Sequence, residues 1–538
     1  MKRKPRQHQL DTFEVSKDAD YWAILMDRGT GKTKVAIDTA VYMYRNKWID
    51  LVVIIAPNGV HQRWITEHLP LDLDEDILPD SFIWNNPSSK RDINRLLTFF
   101  DPPKKNTLQF VSFNIEAFQF EKAPNFLKRL LVKKGERVLI ILDESTRIKI
   151  PGNKRTKTLI TLGKYSKFKR ILTGNEVTTS PFNLYSQYRF LDQHFWGHMN
   201  YFTFTHYFGK WTNQFASVKK TKGFTDCSEC HQSTQLKVVR FYDRKVSDFS
   251  VYFECPMCNK KVKSANPKVT QECKKIKEER GLFQYPVLTE FLNMDELKSK
   301  ISSCSTRVNK EDCLDLPDKI YMPLYTDMND EQTRIYSELK TKMVSEYEGV
   351  EITVINKLAL SVRFRQIVGG FFPESSQLIG KKNPKMDAIL YDLEGGFKGM
   401  VIIWAVFHPE IEFIYNTLCK NYDGQIEHFY GKTTPDNRNR IISDVQAGKV
   451  QFFVGNPDVA GTGLNLQMAS LSYYFSNSPK PEPRWQSEDR THRDGQKNVC
   501  IYKDVMIKGT VDDSMEQARK QHLSLAEFFK NRSIKEIF

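Results

Sequence analysis

The sequence predicts an α/β protein: two parallel-sheet lobes with a helical, cysteine-containing insertion between them. Three observations carry that prediction. From Tyr21 onward short apolar runs alternate with amphipathic stretches, the pattern of a parallel sheet covered by helices. The same rhythm resumes after Gly399. Between them, over roughly 195–385, the chain is first aromatic and polar, then basic and cysteine-containing, then helical. The expected organisation is a first lobe over 1–195, an insertion over 196–380 with a basic cysteine module at 211–280, and a second lobe with C-terminal helices over 381–538.

In the first lobe the runs Tyr21–Met26, Leu51–Ala56, Leu108–Phe113, Val138–Leu142 and Arg170–Thr173 read as buried strands, with helices such as Lys32–Tyr44 and Val60–His68 between them. In the second lobe the strands are Met400–Trp404, Ile426–Tyr430, Gln451–Val454 and Leu471–Phe475. Helical periodicity fills Asn329–Leu360, and Gly369, Gly370, Pro373 and Pro384 read as breakers and a hinge.

Composition bounds the class. Among 538 residues, 40% are hydrophobic and 27% charged, which describes a folded chain rather than a disordered or fibrous one. No apolar run reaches the ~18–20 residues of a membrane-spanning helix. The basic start, Met1-Lys-Arg-Lys-Pro5, has no apolar signal core behind it. The expectation is a cytoplasmic protein without a membrane partner. The formal net charge is +15, and residues 210–280 alone carry +8. Such an excess suits a polyanion, whose condensed counterions are released on binding.

The strand Tyr21–Met26 runs into Asp27-Arg28-Gly29-Thr30-Gly31-Lys32-Thr33 and then a helix. Glycines at Gly29 and Gly31 let the backbone, with Thr30 between them, curl so that its N–H groups point at phosphate oxygens. Lys32 would hold the β- and γ-phosphates and Thr33 would offer a hydroxyl to Mg²⁺. The strict pattern has a glycine where Met26 stands. A plain glycine turn would explain this stretch taken alone. A second element weakens that reading: Val138–Leu142 ends in Asp143-Glu144, two acids at the carboxyl edge where α/β sheets bind ligands. Asp143 would hold Mg²⁺, and Glu144 would orient and deprotonate an attacking water.

With both elements placed, the chain resembles the superfamily-two ATPases, and among them the Swi/Snf-type DNA translocases, from about Arg6 to Glu527. Gln9 stands where that family reads adenine. Ile54-Ile-Ala-Pro57 with Trp64 and Glu67, Phe110-Val-Ser-Phe113, Asp143-Glu-Ser-Thr-Arg-Ile-Lys149 and Leu172-Thr-Gly174 are similar to its successive motifs. Asn175-Glu176 replaces the usual Thr-Pro, a departure that bears on coupling rather than on ATP binding. In the second lobe Val401-Ile-Ile-Trp404, Gly431 with Arg438 and Val445, Gly461-Thr-Gly-Leu-Asn-Leu466, and Gln486-Ser-Glu-Asp-Arg490-Thr-His-Arg493 continue the likeness. The resemblance implies two RecA-like lobes, ATP with Mg²⁺, and Gln486, Arg490 and Arg493 lent to the γ-phosphate from the second lobe. Arg490 and Arg493 are three apart, so one helix face could present both. Compact motors of this type are common in bacteria and their viruses.

Cys227-Ser-Glu-Cys230 and Cys255-Pro-Met-Cys258 form two knuckles of the kind that hold tetrahedral Zn²⁺. A hairpin of Leu236–Tyr242 with Phe249–Phe253 would span them, and His231 and Cys273 are substitute ligands. Two readings of this module stay open: an extension of a nucleic-acid track through Lys219, Lys220, Lys222, Arg240, Arg244, Lys260 and Lys261, or a protein-docking surface.

The resulting expectation is an ATP hydrolase that moves along nucleic acid, double-stranded or branched DNA foremost, gripping the phosphate backbone without reading sequence. Lys149, Lys154, Arg155, Arg363 and Arg365 are candidates for that grip. One rival is a helicase separating DNA or RNA strands. Another is a zinc-containing adaptor whose lobes serve as a nucleotide-gated clamp. Oligomeric state is not legible, and a monomer satisfies the motifs.

Overall fold

The computed structural model describes residues 2–174, 180–215, 284–346, 354–373, 375–460 and 464–521, with single positions at 523, 525 and 528. Between 216 and 283 it describes the strands named below, the paired Thr225–Asp226 and Ser233–Thr234, and Cys230, Cys255, Met257 and Cys258. The chain forms two compact units, one of residues 1–205, 294–324 and 392–505, the other of 206–293, 325–391 and 506–538.

The first unit holds both parallel sheets. One has seven strands in the order Ser305–Val308, Tyr21–Met26, Phe168–Thr173, Val138–Asp143, Leu51–Ala56, Thr107–Asn114 and Leu78–Trp84, every pair parallel. Its central strands are apolar on both faces because both are covered; Ile24, Val52, Ile54, Ile141 and Leu172 share a core with Val35, Trp64 and Phe110. The register pairs Leu25 with Thr173 and Asp143 with Leu172, so the ends of three strands open on one carboxyl edge. The other sheet has six strands, ordered Lys319–Thr326, Cys500–Ile507, Ala469–Tyr474, Met400–Trp404, Val450–Gly455 and Gln425–Phe429. Its inner pairs are parallel, and Ile402, Trp404, Phe453 and Tyr474 fill its core. The two-lobed α/β reading is borne out.

Four strands of these sheets escaped the sequence reading: Leu78–Trp84, Ser305–Val308, Lys319–Thr326 and Cys500–Ile507. Leu78–Trp84 carries Pro79, Asp80 and Ser81 directly after its first residue and lies at a sheet edge, half exposed, where no apolar run is needed. Cys500–Ile507 alternates at its start, with Lys503 and Asp504 inside it. Helix Val60–His68 is broken: an α-turn over Val60–Arg63 passes into a π-turn over Trp64–His68. The expected insertion over 196–380 is not wholly an insertion. Ser305–Val308 closes the first sheet beside Tyr21–Met26, and Lys319–Thr326 closes the second.

In the second unit, helices Asp330–Glu346, Val354–Val368 and Val511–Lys520 pack through Tyr336, Phe364, Ile367, Val511 and Ala518. This core draws 506–538 away from the second lobe, to which the sequence reading assigned it. The expected hairpin forms, Lys237–Asp243 antiparallel to Asp248–Glu254, flanked by Lys219–Lys220 and Lys261–Val262. Gly370 turns left-handed after Val368, and Asn383 donates to the Gly369 carbonyl at 2.8 Å; the paired glycines form a stapled helix end. Among the described residues no helix is long and apolar enough to cross a membrane.

Candidate nucleotide site

The loop after Tyr21–Met26 is built for close approach. Gly29 and Gly31 have φ of 86° and 92°, where side chains are strained, and helix Lys32–Arg45 starts directly after Gly31. A Cβ on Gly31 would run into the Gln9 side-chain amide. That amide donates to the Thr30 carbonyl at 2.9 Å and accepts the Arg6 N–H at 3.1 Å, and His8 Nε2 lies 2.8 Å from the same carbonyl. Gln9 is therefore held against the curl of the loop. Lys32 is buried, with Nζ donating to the carbonyls of Met26 at 2.7 Å and Asp27 at 3.2 Å. Burial pushes its ammonium pKa down, against the pull of Glu144 and Asp143. Thr33 is half-buried on the first turn. Met26, where the strict pattern has glycine, keeps its side chain in the core and presents only its carbonyl to Lys32.

Asp143 is the last residue of its strand and is buried. The Trp64 indole donates to Oδ2 at 3.0 Å, and the Glu144 N–H donates to Oδ1 at 2.9 Å. Burial and the neighbouring Glu144 carboxylate push Asp143 up to about 6. A buried carboxylate beside a half-buried one suits a divalent cation. Glu144 adopts φ 52° and ψ 56°, a conformation uncommon outside glycine, which turns it off the strand. Burial raises its carboxyl, but Arg28, Lys32, Arg490 and Arg147 together hold it below the usual range. Arg28 Nε lies 3.5 Å from Oε1. One step on, Ser145 donates to Gln187 at 2.6 Å, both fully buried, tying the acidic turn to helix Leu184–Leu191. Asn175 and Glu176 lie outside the described residues.

The second lobe brings helix Pro481–Thr491 to the same place. Gln486 is half-buried on it. Arg490 donates to the Leu464 carbonyl at 3.4 Å; burial, with Arg28 and Arg493 adding, pushes it down to about 9, while Asp489 and Glu144 oppose. Of the motif 461–466, residues 461–463 lie outside the described residues. The expectation that Arg490 and Arg493 share a helix face is corrected: the helix stops at Thr491, and His492, at φ −88° and ψ 80°, turns the chain before Arg493. Arg493 reaches the phosphate loop all the same, its Cβ 3.4 Å from where a Cβ on Gly29 would stand. Burial and Arg63 lower its pKa.

Lys32, Asp143, Glu144, Arg490 and Arg493 are thus brought together. Sequence reasoning missed Arg28, the hydrogen-bonding role of Trp64, and Lys310, which bonds both to Asp27 and to Asp489. Of the candidates for gripping a strand, Lys154 is exposed, Lys149 lies 4.0 Å from Glu482, and Arg155 donates to the Arg147 carbonyl. Arg363 is exposed, whereas Arg365 is buried and drops out as a surface contact.

In the second unit the thiols of Cys230, Cys255 and Cys258 lie within 4.8 Å of one another, with Cys230 and Cys255 3.8 Å apart. Cys227, His231 and Cys273 lie outside the described residues, as do Lys222, Arg244 and Lys260. Lys219, Lys220, Arg240 and Lys261 fall on strands of the hairpin sheet.

Residues 383–495 match the helicase conserved C-terminal domain. The chain is 28% identical over 266 residues to an uncharacterized ATP-dependent helicase of Mycoplasma genitalium, covering 46% of this chain and 25% of that one. It is 27% identical over 150 residues to the DNA repair and recombination protein RDH54 of Saccharomyces cerevisiae, covering 27% and 16%. It spans about a quarter or less of the length of these relatives. Among solved structures, the Sulfolobus solfataricus SWI2/SNF2 ATPase core in complex with dsDNA aligns over 100% of this chain and 97% of that one, at 19% identity and a TM-score of 0.39.

Proposed function

We propose, for a chain whose second lobe is a helicase C-terminal domain, that it is an ATP-driven motor of the Swi/Snf type that moves along double-stranded DNA. One observation carries the reading. Arg493 of the second lobe stands against the glycine loop of the first, its Cβ 3.4 Å from where a Cβ on Gly29 would be, so groups suited to phosphoryl transfer would meet from two sheets. Gln9 would read the base from helix Gln7–Ser16, where it lies against the loop. Thr33 and Asp143 would hold Mg²⁺, which supplies charge to the phosphate oxygens. Lys32 leaves the Met26 and Asp27 carbonyls for the β- and γ-phosphates, and Glu144 orients the attacking water and takes its proton. Arg490 and Arg493, with Gln486 beside them, stabilise charge on the transferring group only when the lobes are closed, which makes hydrolysis depend on closure.

The names of the relatives, an ATP-dependent helicase and a DNA repair and recombination protein, agree with ATP as fuel and DNA as track. The three clustered thiols suit Zn²⁺, Cys227 would be the fourth ligand, and the metal would cross-link the module. The basic strands beside it would serve either as further phosphate contacts or as a protein-docking surface. A cytoplasmic protein of bacterial or phage origin completes the reading. The test is ATP turnover with duplex DNA, branched DNA, single-stranded DNA and RNA in parallel, alongside a strand-separation assay. Stimulation by duplex without strand separation supports translocation; stimulation confined to RNA or single strands favours the helicase reading.

A further inference from the structure

The chain passes from the first sheet to the second through one short stretch, from strand Ser305–Val308 to strand Lys319–Thr326, and on the way it is bonded to both lobes. On the first-lobe side, the Asp27 N–H donates to the Val308 carbonyl at 3.0 Å, and the Lys310 N–H donates to Asp27 Oδ2 at 2.9 Å. The Lys310 side chain then turns the other way. Its Nζ donates to Asp489 Oδ1 at 2.8 Å and to the His492 carbonyl at 2.6 Å. Further along, His492 Nε2 lies 2.8 Å from the Pro317 carbonyl, and Tyr321 donates to Glu488 at 2.7 Å.

Lys310 is 7% exposed, and its ammonium can be buried only because its bonds are made. Its acceptors are a carboxylate and a carbonyl just past the end of a helix, where the helix dipole favours a cation. Asp489 responds in kind: burial raises its carboxyl, but Lys310 and Arg28 hold it below the ordinary range. Asp489 precedes Arg490 and His492 precedes Arg493, so anchoring these two fixes the backbone that carries both arginines. The phosphate loop is packed against the same backbone, with Arg493 Cβ at van der Waals distance from the Gly29 position.

We propose that Lys310 is a positioning residue that latches the end of helix Pro481–Thr491 to the phosphate loop and thereby sets where Arg490 and Arg493 stand relative to the nucleotide. It acts through Asp27, Asp489 and His492 rather than on the phosphates. The proposal rests on the ATP-hydrolysis reading for its effect on rate, and on the hydrogen bonds alone for its effect on structure.

Lys310→Met keeps the length of the side chain and removes the ammonium. In this variant kcat for DNA-stimulated ATP hydrolysis falls about 10²-fold, as expected when a reacting group is displaced by about an ångström, while KM for ATP changes little. Asp489→Asn gives a loss of the same kind, and the double variant is no worse than the poorer single one, because both remove one interaction. Lys310→Arg restores part of the rate. Losses that multiply in the double variant, or a raised KM at unchanged kcat, overturn the proposal. Hydrogen exchange without nucleotide reads the latch independently of activity: in Lys310→Met, and in Asp489→Asn should the first fail to fold, peptides over 27–33 and 486–493 lose protection together while 138–143 keeps it. Unchanged protection overturns the proposal even if ATP is hydrolysed. Lost protection in a chain whose wild type hydrolyses no ATP supports the latch and removes the ATPase reading instead.

Discussion

Trp64 and Asp143 are joined in the interior of the first lobe by a 3.0 Å hydrogen bond from the indole to a carboxylate that ends the central acidic strand. Trp64 is fully buried and opens the π-turn Trp64–His68. A hydrogen bond to a buried charged group is worth about 1.5–3 kcal/mol. Trp64→Phe fills nearly the same space and leaves Asp143 one donor short. The expected result is a loss of stability within that range in urea unfolding and a higher Mg²⁺ requirement for ATP turnover. An unchanged Mg²⁺ requirement would show that Trp64 packs without orienting the carboxylate.

His68 stands edge-on to Trp64 with ring centroids 6.2 Å apart, and its pKa is pushed down to about 4, mainly by burial with Arg63, Arg3 and Arg493 adding. A histidine held neutral in the fold contributes stability that is fully present above its unfolded value of about 6.5. That stability declines as pH falls below this value and is gone once pH passes through about 4. The melting temperature should therefore fall over this window, and His68→Phe, which keeps the ring, should flatten the fall. Equal slopes in the two proteins would remove His68 as the source.

Glu144→Gln keeps the side-chain shape and removes the base. ATP turnover should fall about 10²–10⁴-fold, with nucleotide affinity nearly intact because Lys32 and the loop are untouched. Hydrolysis at the wild-type rate would mean that another group takes the proton.

The thiol cluster makes a prediction about metal. Purified protein should contain one zinc, and a chelator should melt the region around Cys230, Cys255 and Cys258 before either parallel sheet. Hydrogen exchange resolves the two events. Melting indifferent to chelator would contradict a structural metal.

Much of the fold was legible because it is written locally. Leu51–Ala56 is an unbroken apolar run that a strand buried on both faces requires, and it is a strand to the residue. The phosphate loop announces itself within seven residues, Asp27 to Thr33, since curl, lysine and hydroxyl must be contiguous. What was not legible depends on partners distant in sequence. Trp64 and Asp143 are 79 residues apart, and Lys310 and Asp489 are 179 apart. No spacing or periodicity marks either pair. The edge strand Ser305–Val308 was hidden for a related reason: it is short and half-buried, and its place beside Tyr21–Met26 is decided by the sheet rather than by its own composition.

The central claim, that two lobes complete one ATP site whose turnover is driven by DNA, is tested most directly by measuring ATP binding and duplex-stimulated hydrolysis in the wild type and in Arg490→Ala. The wild type should hydrolyse ATP faster when duplex DNA is added, and Arg490→Ala should bind ATP as tightly yet show no such stimulation. A wild type indifferent to DNA, or a variant that keeps the stimulated rate, would contradict it.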